Sequence, residues 1–266
     1  MDSETGESRI LICGNFDLLG AALGDAAFCT RYAGEKVATA SKLLDQLAKL
    51  EDPQVSLRLM QKCAGVCKVT HSMRMTPPEL HAPALQQFDT KVRSSFSQAT
   101  GLLPDEEQWA QACRSFSHAG IGLRQASLHK EAAFLASAAA SSVLCHELDP
   151  NFTLQGADPT SEFGSALTTY NALLPTAERL AAAQVATTSQ KQLSAKLDSA
   201  GHQQRLDTVT NSDRATLVSE CQDGAKDFWT VVPSTSMGLA VPAAEYVTEL
   251  KYRLCMSHDS VDFCPL

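Results

Sequence analysis

Prolines and glycines cut this chain into segments, and between the cuts apolar residues return every three or four positions rather than every second one. That spacing puts apolar side chains on one face of a helix. Strand signals are sparse, so the sequence predicts a mainly α fold, a multi-helix bundle of two parts with short irregular connections and little or no sheet. A first helix is expected over residues 33–50, ending before Asp52-Pro53, because proline lacks a backbone donor and disfavours helix in the residue before it. A second is expected over 53–73. At about 100° per residue, Val55, Leu59, Cys63, Val66 and Met73 fall on one arc and read as its core face.

Pro77-Pro78 ends that helix, and Pro83 is expected to open a third, with Leu85, Phe88, Val92 and Phe96 inward. A fourth begins at Pro104-Asp105, where Asp105, Glu106 and Glu107 complement the positive helix end, and it buries Trp109, Cys113 and Phe116. HAGIGLR (118–124) reads as a glycine turn. The next helix, 127–148, is rich in small residues, and residues 151–160, with two Asp-Pro pairs and a glycine, form the best linker. Helical patterns resume over 176–200, 213–223 and 242–253, the last with Tyr246 and Leu250 four apart. The expected core of the first part is Leu59, Cys63, Phe88, Phe96, Trp109 and Phe116.

Composition narrows the function classes. The chain has 266 residues and a net charge of −8, which argues against a surface devoted to nucleic acid, since phosphate contacts need clustered Lys and Arg. No apolar run approaches 18 residues, and the opening MDSETGESRI is polar and acidic, so neither a membrane span nor a secretory leader is expected and the location reads as intracellular, cytoplasmic or nuclear. Nine scattered cysteines then read as free, mostly buried thiols in a reducing compartment.

Few motifs carry chemistry. Cys63-x3-Cys67 with His71 offers three metal ligands on one helix where about four are needed, and the thiols read as core residues. Cys255, His258 and Cys264 resemble half of a zinc module and remain incomplete. Gly20-x3-Gly24 lacks the residues of a phosphate loop and reads as a closely packed turn. His71, His81, His118, His129, His146, His202 and His258 belong to no catalytic signature, so surface or capping roles are expected. One charge feature stands apart: residues 53–78 hold no Asp or Glu, yet contain Arg58, Lys62, Lys68 and Arg74. Arg58 and Lys62 share one side of the expected helix, which reads either as a solvated face or as an edge that meets phosphates.

Taken in order, FDLLGAALG (16–24), DPQVSLRLMQKCAGVCKVTHSMRMTPP (52–78), LPDEEQWAQACRSFSHAGIGLR (103–124), DRATLVSECQDGAKDFW (213–229) and YRLCMSHDSVDFCP (252–265) resemble the region downstream of the polymerase motifs in reverse transcriptases of non-LTR, LINE-type retrotransposons. The resemblance implies a palm-closing remnant and tail over 1–25, a thumb-like helical domain over 26–150, and a helical connector over 151–266 ending in an incomplete Cys/His segment. It also implies template–primer contact, RNA or DNA, through Arg58, Lys62, Lys68 and Arg74.

The chain departs from the family where the chemistry would lie. Polymerisation there uses carboxylates holding Mg²⁺ ions, whereas this chain has no Tyr-x-Asp-Asp and only Asp17 and Asp25 near the glycines. Cys264-Pro265-Leu266 stops where the family places another cysteine. The expectation is a non-catalytic fragment with no cofactor of its own and weak nucleic-acid contact. The alternative is a helical protein-interaction or scaffold protein without nucleic-acid binding, which suits the acidic balance.

Overall fold

A computed structural model of the chain describes residues 14–154, 156 and 158–257. The fold is mainly α with one small hairpin, as the spacing predicts. Strands β1 (Phe16–Leu18) and β2 (Ala21–Leu23) pair antiparallel, with Leu18 opposite Ala21 and Phe16 opposite Leu23. The two turn residues, Leu19 and Gly20, both have positive φ, the condition for the tight turn that matches strand twist. Gly24 closes the hairpin, because a Cβ there would lie 2.0 Å from the Asn15 side-chain oxygen.

Helix α1 (Ala26–Leu47) starts earlier than its apolar spacing suggests, since the Asp25 carboxylate accepts the Phe28 N–H at 2.7 Å and caps it. Its buried face, Ala33, Val37, Ala40, Leu44 and Leu47, alternates steps of four and three. That stripe lies along α4 (Pro78–Thr100), which supplies Leu85, Phe88, Val92 and Phe96. Pro83 does not open α4. Pro78 takes the first helical position, where a missing N–H costs nothing, and Pro83 sits exposed inside the helix.

The single helix expected over 53–73 is broken. Helix α2 (Pro53–Leu59) passes into a π turn over Met60–Ala64 and a 3₁₀ turn over Val66–Lys68 before α3 (Thr70–Met75) begins. Gly65 is the break point, because a Cβ there would meet the Met60 carbonyl oxygen at 2.7 Å. The 100° arithmetic fails past Leu59 for this reason. Leu57, Met60, Ala64, Val69 and Met73 are the buried residues, Leu59 and Val66 are half-buried, and Cys63 and Cys67 are exposed rather than core thiols.

Helix α5 (Glu106–Cys113) begins with a reciprocal cap between Asp105 and Gln108 and buries Trp109 against Phe96, ring centroids 5.5 Å apart. Phe116, in a short 3₁₀ turn (Phe116–His118), is half-buried against the same core. Helix α6 (Ala126–Leu148) is buried along its first half, to Ala139, and the buried Asp89 carboxylate caps it by accepting the Ala126 and Ser127 N–H groups at 2.7 and 2.9 Å. Beyond the irregular 149–161 stretch come α7 (Glu162–Ala172), α8 (Ala182–Val185), α9 (Gln190–Thr208), α10 (Asn211–Ser219), α11 (Asp227–Thr230) and α12 (Ala243–Arg253).

Two apolar cores result, and their division does not follow the 26–150 and 151–266 split. One core joins α1, α2, α4 and α5 with Trp229, Tyr246, Leu250 and Leu254 from the end of the chain. The other lies within residues 132–197, between α6, α7 and α9. Helix α6 contributes to both. Burial of a large apolar side chain contributes about 1.5–3 kcal/mol, so α11 and α12 are integral to the first core.

Candidate functional site

The basic stretch is where sequence and structure meet. On α2, Arg58 is half-buried, and its guanidinium donates to the Thr230 carbonyl at 2.5 Å and the Gln61 side-chain oxygen at 3.4 Å. It clamps α2 to α11, so its donors face protein. Lys62, in the π turn, and Lys68, in the 3₁₀ turn, are exposed, and neither meets a carboxylate among the described residues. Arg74 is exposed on α3, donates from Nε to the Gln190 side chain at 2.8 Å, and borders a groove of about 520 Å³ between α6 and the start of α9. The passage from α2 into the π turn at Met60 lies between Arg58 and Lys62, which therefore share no continuous α-helical edge, and the break at Gly65 separates both from Lys68 and Arg74.

Helix α3 packs against β2, and Gly20 of the hairpin turn faces His71, the nearest ring atom lying 3.9 Å from where a Cβ would stand. His71 and Arg74, three residues apart, occupy neighbouring positions on α3. Leu19, at the hairpin tip, is 91% exposed. The result is a small outer face composed of hairpin tip and α3. Asp17 accepts from the Tyr32 hydroxyl and from the Gly20 N–H at 2.7 Å. Those bonds hold its carboxyl below the usual range. Asp25 accepts from the Asn15 side-chain amide at 2.9 Å as well as from Phe28, which lowers its carboxyl too. Both carboxylates fasten the hairpin to α1.

A second cluster escaped the sequence reading. His118 and His202 meet edge to face with centroids 5.6 Å apart, the Cys221 sulfur lies 3.6 Å from His202 Nε2, and Ser115 Oγ lies 2.8 Å from His118 Nδ1. Behind them the buried Asp198 accepts from Arg124 at 3.0 Å and sits 3.5 Å from His129 Nε2. Burial pushes the Asp198 carboxyl up, but the His129 hydrogen bond and the Arg124 charge outweigh it and leave it low. Burial also drives His202 down to about 4 and raises the Cys221 thiol. At neutral pH the Cys221–His202 pair is therefore a neutral thiol beside a neutral imidazole. It is not an activated thiolate. The cluster ties α9 and the 115–124 segment to α6.

His81 and His129 are buried, not surface residues as expected, and His118 and His202 are half-buried. Of the Cys/His set, Cys255 is half-buried with its thiol against the Asp213 carbonyl, and burial pushes that thiol up to about 11. His258 and Cys264 lie outside the described residues. Among the described residues no three His, Cys, Asp or Glu side chains converge on a metal-sized site. None of their helices is long and apolar enough to cross a membrane. Comparison with protein-family models, with curated proteins and with solved structures returns no match.

Proposed function

We propose that the chain is the thumb-like and connecting part of a LINE-type reverse transcriptase-like protein, non-catalytic by itself, with weak template–primer contact through the basic stretch that runs from the π turn to α3. The observation that carries this reading is the seating of β1–β2 on α3. These elements are formed by FDLLGAALG and by the end of the 52–78 stretch, two separate segments of the resemblance, which meet in space. Because Arg58 is committed to Thr230, the phosphate-facing cations are Lys62, Lys68 and Arg74. The engagement of Asp17 and Asp25 in fastening the hairpin fits a chain that incorporates no nucleotides unaided.

The test is fluorescence anisotropy of a labelled RNA–DNA primer duplex across salt concentrations. About two to three phosphate contacts give a log K against log salt slope of roughly −2 to −3, and replacing Lys62, Lys68 and Arg74 with Ala flattens it nearly to zero. Absence of binding at low salt, or a slope indifferent to the triple substitution, overturns the proposal.

A second reading, a helical interaction protein, is favoured by the end of α6. Past Ala139 this helix leaves the core, and Val143, Leu144 and Leu148 are exposed, Leu148 by 89%. Cross-linking to a cellular partner that maps to residues 143–154, and is lost on replacing Leu144 and Leu148 with Asp, would favour it.

A further inference from the structure

Free cysteine is among the most buried residue types, and where it reaches solvent its reactivity matters more than its packing. Seven cysteines fall among the described residues, and of these Cys63 and Cys67 alone are exposed. They stand on either side of Gly65, Cys63 in the π turn and Cys67 in the 3₁₀ turn that follows. The Cys67 thiol donates to the Lys62 carbonyl oxygen at 3.5 Å. That oxygen belongs to the peptide bond leading into Cys63, and a carbonyl oxygen lies about 2.8 Å from the next Cα, which puts the Cys67 sulfur at most about 6 Å from the Cys63 Cα. Rotation of the exposed Cys63 side chain about χ1 carries its sulfur towards that of Cys67. The turn between them is held by the Lys68 N–H on the Gly65 carbonyl at 3.0 Å and the Val69 N–H on the Val66 carbonyl at 3.1 Å, not by a continuous α ladder, and can adjust to the geometry a disulfide requires. The surroundings are cationic: residues 53–78 hold no Asp or Glu, and the exposed Lys62 and Lys68 adjoin the two cysteines.

We propose that Cys63 and Cys67 form a reversible dithiol–disulfide site whose exchange partner is an anionic low-molecular-weight disulfide of the glutathione class. Cys63, whose sulfur is held by no hydrogen bond like that of Cys67 among the described residues, attacks one sulfur of the glutathione disulfide as a thiolate; the S–S bond breaks and one glutathione thiolate leaves. Cys67 then gives its proton to solvent, attacks the Cys63 sulfur of the mixed disulfide and expels the second glutathione thiolate. The leaving thiolates take up the protons released, so both protein thiols are oxidised and one glutathione disulfide is reduced to two thiols. Excess glutathione runs the steps backwards. The anionic class follows from charge, since glutathione disulfide is net negative at neutral pH and Lys62 and Lys68 draw it to the sulfurs. The bridge ties the π turn to the 3₁₀ turn and so fixes the join between α2 and α3. A metal ion at the pair is disfavoured, because no third ligand converges on it among the described residues. The inference is independent of the nucleic-acid reading, since the exchange is measured with no nucleic acid present.

The test equilibrates the full chain with glutathione redox buffers, traps the remaining thiols with N-ethylmaleimide and digests with trypsin, which releases residues 63–68, CAGVCK, as one peptide carrying both cysteines. The expected result is an unlabelled peptide, lighter than the dithiol by the hydrogens of both thiols, which dithiothreitol returns to the doubly labelled form. Any chain with this spacing can cyclise, so the deciding comparison is between buffer and urea: the folded chain should favour the disulfide by about tenfold or more over the unfolded one. Cys67→Ser should stop at the mixed disulfide of Cys63 with glutathione. Lys62→Glu combined with Lys68→Glu should slow oxidation by glutathione disulfide several-fold at low salt and leave oxidation by the uncharged bis(2-hydroxyethyl) disulfide unchanged. These positions are exposed, and circular dichroism checks that the fold is kept. Raising the salt concentration on the unaltered chain reads the same charge effect without any substitution. Mixed disulfides at both cysteines without closure, a folded chain no easier to oxidise than the unfolded one, or a charge reversal that does not discriminate between the two oxidants would each overturn the proposal.

Discussion

Replacing Arg253 with Met tests whether α12 is held by one buried guanidinium. Arg253 is fully buried and donates to the Gly120 and Phe116 carbonyls at 2.9 Å each, pairs with Glu220, and lies over Trp229 with its Cζ 5.2 Å from the ring centroid. Methionine fills much of the same volume, so the loss is chiefly polar. Two charge-assisted bonds to carbonyls are worth about 1.5–3 kcal/mol each. Stranding the carboxylate partner of a buried pair costs about 3–5 kcal/mol. The Glu220 side chain keeps 16% of its exposure and is partly rehydrated, which places its share at the low end.

These losses overlap rather than add. The expected destabilisation is about 3–5 kcal/mol, a large part of the roughly 5–15 kcal/mol that holds a folded domain together. Urea unfolding followed by far-ultraviolet circular dichroism and by Trp fluorescence measures it. Combining Glu220→Gln with Arg253→Met should restore about 1–2 kcal/mol by removing the stranded charge, whereas Glu220→Gln alone should destabilise. A loss below about 1 kcal/mol, or no coupling in the double-mutant cycle, would refute the reasoning.

Burial holds His81 neutral and drives its imidazole down to about 4, against 6.5 when solvated. The unfolded chain thus binds this proton first, and stability falls as pH drops from about 6.5 towards 4, by roughly 3 kcal/mol at most. His81→Leu should flatten the urea midpoint over that window, and Ser72 keeps its bond to Val69; an unchanged pH profile contradicts the assignment. A thiol reagent followed by peptide mapping should modify Cys63 and Cys67 within minutes and leave Cys29 and Cys113 untouched until denaturant is added, since the first pair is exposed and the second buried. Fast labelling of Cys113 would show that α5 is not packed as described. Leu19 holds a positive φ of 52° while almost wholly exposed, so Leu19→Asn should raise stability by about 0.5–1 kcal/mol, and a lowered melting temperature would argue against the turn.

Helix boundaries set by local chemistry were readable in advance. Pro104-Asp105 followed by Glu106 and Glu107 announces α5, and the apolar pair Tyr246 and Leu250 marks α12, because helix-end chemistry and periodicity act over a few residues. The break at Gly65 was not readable, since counting at a constant angle assumes that the helix continues and the obstacle is a carbonyl brought close by the π turn itself. The charge run was visible as composition, but the partner that occupies Arg58 lies 172 residues away. The same holds for Asp198, whose Arg124 lies 74 residues off. Contacts across the fold, rather than spacing, decide which polar groups are exposed or buried.

The interleaving of the two cores sets an order for synthesis. Every buried residue of the core between α6, α7 and α9 lies at or before Leu197, so that unit can collapse as soon as the chain up to Leu197 has cleared the ribosome. The other core holds the earliest helices but waits for Trp229, Tyr246, Leu250 and Leu254 to cover them. A nascent chain from which α9 has emerged but Trp229 and α12 have not would therefore carry a finished later core and an earlier one with open apolar surface. That intermediate is the one on which a chaperone would act, and the one from which aggregation would begin.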